Sequence, residues 1–109
     1  MKVSELLLKT DLREVNVSDG DFEIGGIYIG DLLSWVMGRA RSGDAWITIM
    51  SNINTVAVAT LCDVATVILA EGVMLEGDAL DAARSKGVNV LSSPHSAYET
   101  ALMLNDLLG

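Results

Sequence analysis

A chain of 109 residues, half of them hydrophobic, with ten glycines, one proline and one cysteine, has the size of one compact domain. A chain of that size buries roughly two-thirds of its unfolded surface and needs no metal or disulfide staple. Fifteen acidic residues against seven basic ones give a formal charge of −8, which repels phosphate backbones and anionic lipid and argues against nucleic-acid and membrane-surface roles. The lone Cys62 has no partner for an internal bridge, in keeping with a reducing compartment. Mean hydropathy is high at +0.41, but charged or polar residues interrupt every apolar run before the roughly 18 residues that a membrane span needs. Residues 1–10 carry Glu5 within their apolar stretch and no small-residue cleavage site, so no signal peptide is expected and the cytoplasm is the expected compartment.

In chain order, residues 3–9 read as a short helix with Ser4 as its cap. Val15 and Val17 alternate as in a half-buried strand, and Ser18, Asp19, Gly20 and Asp21 form a turn. Residues 26–30 are a short glycine-flanked strand, and residues 31–40 a helix with Asp31 in its first turn, where an acid suits the helix dipole. Residues 45–50, 66–70 and 88–91 are strands apolar on both faces, as strands covered by helices on each side must be. Between and after them lie helices at 54–64, 77–86 and, beyond Pro94, 96–108. This alternation with short joins predicts a single α/β domain over residues 1–109: three layers, with a mostly parallel sheet flanked by helices and no room for a linker or lid.

Two helices carry further information. At about 100° per residue, Leu32, Leu33, Val36, Met37 and Ala40 share one face, and Trp35 falls off it. Such a tryptophan is either half-covered by a neighbouring loop or offered to another chain. In the 54–64 helix, Ala57, Val58, Leu61 and Val64 form the expected buried side, leaving Val56, Ala59 and Thr60 as a small, weakly polar face. That face suits either a dimer contact or burial under a neighbouring element. Tyr98 and Leu102, off the Ala97, Ala101, Leu104 and Leu108 stripe, extend the set of interface candidates. Met37, Met50, Met74 and Met103 read as core filler.

In an open parallel sheet, ligands sit outside the carboxyl ends of the strands. Those positions are polar here: Gly30, Asp31 and Ser34; Ser51, Asn52 and Asn54; Glu71 and Gly72; Ser93 and His95. They are either a ligand-binding rim or helix caps, since Ser, Asn and Asp satisfy the first free amides of a helix. Capping explains Glu71 and His95 least. The Gly25, Gly26 and Gly30 spacing matches neither a dinucleotide fingerprint nor a P-loop and reads as backbone turns or close packing. Cys62 and His95 lack metal-ligand spacing, and Cys62 sits in an apolar helix as a small core residue. Ser93 and His95 are nearly adjacent with no third member, so no catalytic residue, metal or cofactor is assigned.

The stretch Gly26-Ile27-Tyr28-Ile29-Gly30-Asp31-Leu32-Leu33-Ser34 resembles the DRTGG domain family. The resemblance continues through Gly43-Asp44-Ala45-Trp46-Ile47-Thr48-Ile49, Asn54-Thr55-Val56-Ala57-Val58-Ala59 and Ser93-Pro94-His95-Ser96-Ala97-Tyr98-Glu99, spanning nearly the whole chain. The motif that names the family survives only in its glycines, as Phe22-Glu23-Ile24-Gly25-Gly26, and Met50 and Asn52 stand where many members have Gln and His. The resemblance implies an α/β domain similar to the N-terminal domain of HPr kinase, without the kinase half and its P-loop. Such domains accompany phosphotransacetylase, CBS-pair and pyrophosphatase modules and serve regulation or association, with no established catalytic residues. The expectation is therefore a stand-alone, non-catalytic regulatory module. It would associate as a homodimer or with a larger enzyme, and would bind a small polar ligand at the strand ends. The alternative is a sensor of a nucleotide or phosphorylated metabolite, with Asp31, Asn52, Glu71 and His95 setting specificity; an enzyme is the third class.

Overall fold

β-Branched runs build the centre of the sheet, and the segments between them wind into helices that cover it. The computed structural model describes residues 1–18 and 20–109; the expected turn at Ser18 to Asp21 includes Asp19, which lies outside the described residues. In chain order the elements are α1 (Val3–Lys9), β1 (Arg13–Asn16), β2 (Gly26–Ile29), α2 (Leu33–Arg39), β3 (Asp44–Thr48), α3 (Ile53–Cys62), β4 (Thr66–Leu69), α4 (Gly77–Lys86), β5 (Val90–Ser92) and α5 (Ala97–Leu108). The sheet order is β1-β5-β4-β3-β2. Strands β2 to β5 are parallel, and β1 runs antiparallel to β5 at the edge.

Every crossover from β2 to β5 steps the same way across the sheet, so one crossover hand puts α2, α3 and α4 on the same face. Trp46, Val67, Leu69 and Val90 pack there with Val36, Val56, Ala79 and Ala83. The alternate residues Ala45, Ile47, Ile68 and Leu91 point the other way, onto Val3 and Leu6 of α1 and Leu104 of α5. The result is the expected three-layer α/β architecture with a mostly parallel sheet. No helix among the described residues is long and apolar enough to cross a membrane.

Several local expectations are corrected. Helix α1 takes Lys2 as its N-cap position, not Ser4. Ser4 lies inside the first turn, and its main-chain N–H and hydroxyl donate to the Asp21 carboxylate at 3.2 and 2.5 Å. Asp21 thus satisfies a free helix amide from a distant loop. The Ser4 hydroxyl, followed by the Ser4 amide, holds the Asp21 carboxyl below its usual value. On α2, Val36 is buried and Leu33 half-buried, but Leu32 and Met37 are exposed along with Trp35; Met74, also expected as filler, is exposed too.

The buried side of α3 is rotated from the expected one: Val58 is buried as expected and Ala57 and Val64 are half-buried, but Val56 and Ala59 face the core and Leu61 does not. Val56 and Ala59 are 1% and 2% exposed, whereas Leu61 is 75% exposed. Val56 and Ala59 are therefore core residues and leave the set of interface candidates, while Thr60 stays exposed and donates its hydroxyl to Val56 O. The reason is position: α3 packs between α2 and α4 on the sheet, and a helix apolar nearly all round is oriented by its neighbours rather than by its own periodicity.

The two sides of α3 should respond differently to truncation. Val56→Ala is expected to cost about 2 kcal/mol of stability through the cavity it leaves, and Leu61→Ala to stay within about 0.5 kcal/mol. Urea denaturation of both variants measures the difference.

Candidate functional site

The carboxyl ends of β2 to β5 and the amino end of the antiparallel β1 share one rim of the sheet. At β2, the Asp31 carboxylate accepts from the Thr48 hydroxyl at 2.7 Å and the Ile49 amide at 3.0 Å. Trp46 Nε1 donates to Gly30 O at 2.9 Å, and the Gly30 amide to Ile47 O at 3.2 Å. The end of β2 is thereby tied to the end of β3. A Cβ at Gly30 would stand 2.9 Å from the Tyr28 ring, so a side chain there would force that ring to shift. Asp31 precedes α2 rather than lying in its first turn, so its expected dipole role is replaced by this strand-tying one. Ser34 is exposed on α2.

After β3, Asn52 caps α3 through Oδ1, which accepts from the Asn54 and Thr55 amides at 2.9 and 3.3 Å. Ser51 is half-buried and Asn54 exposed. After β5, the Ser93 hydroxyl is buried against Thr100 Oγ1 at 2.7 Å and accepts from the His95 amide at 3.1 Å. His95 Nε2 lies 2.8 Å from the Asp11 carboxylate, joining the start of α5 to the segment before β1. Cys62 is half-buried against the core under α2 to α4, rather than fully within it, and burial pushes its thiol up.

Between β4 and β5 the topology changes. Helix α4 follows β4 onto one face and α5 follows β5 onto the other. Loops that part to opposite faces leave a crevice, the usual ligand position in such sheets. Here main-chain bonds draw that crevice together: the Glu71 amide donates to His95 O at 2.8 Å and the Gly72 amide to Ser93 O at 2.7 Å. To aim those amides at β5, Glu71 and Gly72 both adopt left-handed backbone, at φ 60° and 72°. That conformation costs a non-glycine residue roughly 1–2 kcal/mol. Beside them remains a cavity of about 220 Å³ lined by Arg13, Gly72, Met74, Ser92 and Pro94. Glu71 and His95 meet through their main chains, and the His95 ring turns to Asp11.

Asp11, Arg13 and Thr48 were not foreseen at this rim. Thr48 follows from the two-residue period of β3, but Asp11 and Arg13 reach it only because β1 runs antiparallel, which its own residues do not disclose. Among the described residues no cluster of three or more His, Cys, Asp or Glu stands ready for a metal ion.

No protein-family model matches the chain, and no curated protein sequence does either. A solved structure does match: the CBS and DRTGG domains of the regulatory region of Clostridium perfringens pyrophosphatase, complexed with its activator diadenosine tetraphosphate. The TM-score is 0.75 at 17% identity, over 94% of this chain and 44% of that one. The fold is that of a DRTGG-like domain. The chain thus spans less than half the length of the regulatory region it resembles.

Within this DRTGG-like domain, Asp31 is the rim residue whose bonds are most easily tested. Asp31→Ala leaves the buried Thr48 hydroxyl and the Ile49 amide without their acceptor and is expected to cost about 1–3 kcal/mol, read from the urea midpoint.

Proposed function

We propose that the DRTGG-like domain, residues 1–109, is a non-catalytic regulatory and association module that acts in the cytoplasm as a homodimer, alone or attached to a larger enzyme. One observation carries this reading: the rim's polar groups are spent on one another, while large apolar side chains stand on the outer surface. Asp31, Asn52 and Ser93 each hold main-chain amides or a buried hydroxyl, which gives each a structural role at the rim. Meanwhile Trp35 is 56% exposed, with the Arg39 guanidinium 4.0 Å above its ring, and Tyr98 is 70% exposed. Exposed aromatic groups with a stacked arginine are the composition of association surfaces. That the similar pyrophosphatase segment is a regulatory region agrees with this reading. Sedimentation velocity from micromolar to hundred-micromolar protein should show a dimer; a monomer throughout overturns the homodimer.

The sensor reading retains one specific support. Arg13 lines the cavity between the β4 and β5 loops, and the pyrophosphatase region is complexed with a dinucleotide activator. A guanidinium there suits a phosphate group. In this reading Arg13, Glu71 and Gly72 contact the ligand, and Asp31 and Asn52 only support the rim. A nucleotide bound at 100 times its dissociation constant adds about 2.7 kcal/mol of stability. A thermal-shift series with mono- and dinucleotides should show this gain in the wild type and lose it in Arg13→Ala. No shift with any of them removes the sensor reading for that class.

A further inference from the structure

The two edges of the sheet are built differently. At the β1 edge, Arg13 and Glu14 are exposed charges, and the register slips between Glu14 and Asn16. Charges and a bulge are the usual devices that keep an edge strand from pairing with another chain. At the opposite edge, β2 reads Gly26-Ile27-Tyr28-Ile29, with no charge and no proline, in unbroken register with β3. The Gly30 amide points inward to Ile47 O. By the two-residue alternation of a strand, the amides of Ile27 and Ile29 point outward, where among the described residues no strand pairs with β2 itself; the segment before it is bridged antiparallel by Lys2 to Glu23.

The surroundings of this edge are self-complementary. Next to the amino end of β2 is a groove of about 440 Å³, lined by Gly25, Tyr28, Arg39, Arg41, Ser42 and Asp44 among others. Two guanidinium groups against one carboxylate make it basic on a chain of charge −8. Asp31 is exposed beyond the other end of β2, with Oδ1 held by Thr48 and Ile49 and Oδ2 without a bond among the described residues. Antiparallel pairing of two β2 strands about a twofold axis sets the acidic end of each against the basic end of the other. Parallel pairing would set like against like. Ile29 is 49% exposed and Trp35 56% exposed, supplying apolar area beside the paired strands.

We propose that the homodimer forms by antiparallel pairing of β2 with β2 of a second copy, giving one continuous ten-stranded sheet with Asp31 of each protomer facing Arg39 and Arg41 of the other. The occupant of this edge is a second copy because the twofold satisfies main chain, charge and apolar surface at once. The proposal rests on the homodimer reading above, and its test separates the two.

Hydrogen exchange on the wild-type protein should slow at the Ile27 and Ile29 amides as concentration rises through the dimer midpoint seen by sedimentation. Ile29→Lys, a charged edge residue, and Arg41→Glu, which puts acid against the partner's Asp31, should each weaken the dimer by about tenfold or more. Leu61→Glu, on the exposed side of α3 between α2 and α4 and away from the β2 edge, should leave it unchanged. A wild-type dimer whose β2 amides exchange at the same rate at every concentration, or that resists both edge variants, overturns the β2 location and leaves the homodimer standing. A wild-type monomer at all concentrations overturns both. The exchange measurement needs no substitution, so a variant that fails to fold does not decide the outcome.

Discussion

Burial of the sheet on both faces is the constraint from which the rest follows. Trp46, Ile47, Ile68, Leu69 and Leu91 are shut off from water, so side chains that carry polar chemistry gather mainly where the strands end. The ends bring an obligation of their own, because each strand-to-helix join exposes main-chain amides that must find acceptors. Asn52 meets it for α3, Ser96 for α5 and Asp21, from a distant loop, for α1. The polar rim is thus first a consequence of covering the sheet, and only what remains after these bonds is free for a ligand.

That ordering explains why the rim was legible in the sequence while its meaning was not. Asn52 and Ser93 fall at the expected strand ends, and the five helices lie within two residues of their expected limits, because β-branched runs and caps are local signals. Orientation is not local. Helix α3 is apolar nearly all round, so which side meets the sheet is decided by α2 and α4. The same holds for β1, whose four residues give no hint that they run antiparallel to β5 and carry Arg13 to the rim. The resemblance to the DRTGG family lies in ordered segments rather than in a side-chain motif, since the Phe22-Glu23-Ile24-Gly25-Gly26 stretch keeps only glycines. Fold agreement at 17% identity is in keeping with that.

The crevice between the β4 and β5 loops shows how topology offers a site that local bonding then narrows. The parting of α4 and α5 to opposite faces would leave the loops apart. Left-handed backbone at Glu71 and Gly72 turns two amides back onto His95 O and Ser93 O instead. A glutamate is a costly choice for such a position when the next residue is glycine and Asn tolerates the conformation better. Glu71 carries that strain in its backbone while its side chain stays exposed.

The acidity of the chain sharpens the question of association. Two copies each carrying −8 repel at long range, but at physiological ionic strength charges more than about 8 Å apart are largely screened. What counts at contact is the local balance. Of the seven basic residues, Arg39 and Arg41 stand together in the groove beside β2, and Arg39 is held over the Trp35 ring. Stacking orders the guanidinium before any partner arrives, which lowers the entropy lost on binding. Elsewhere the excess of acid works against contact. A surface of this kind disfavours indiscriminate self-association, and the β2 edge, uncharged along the strand and oppositely charged at its two ends, is where the proposed pairing would admit a second copy in a single orientation.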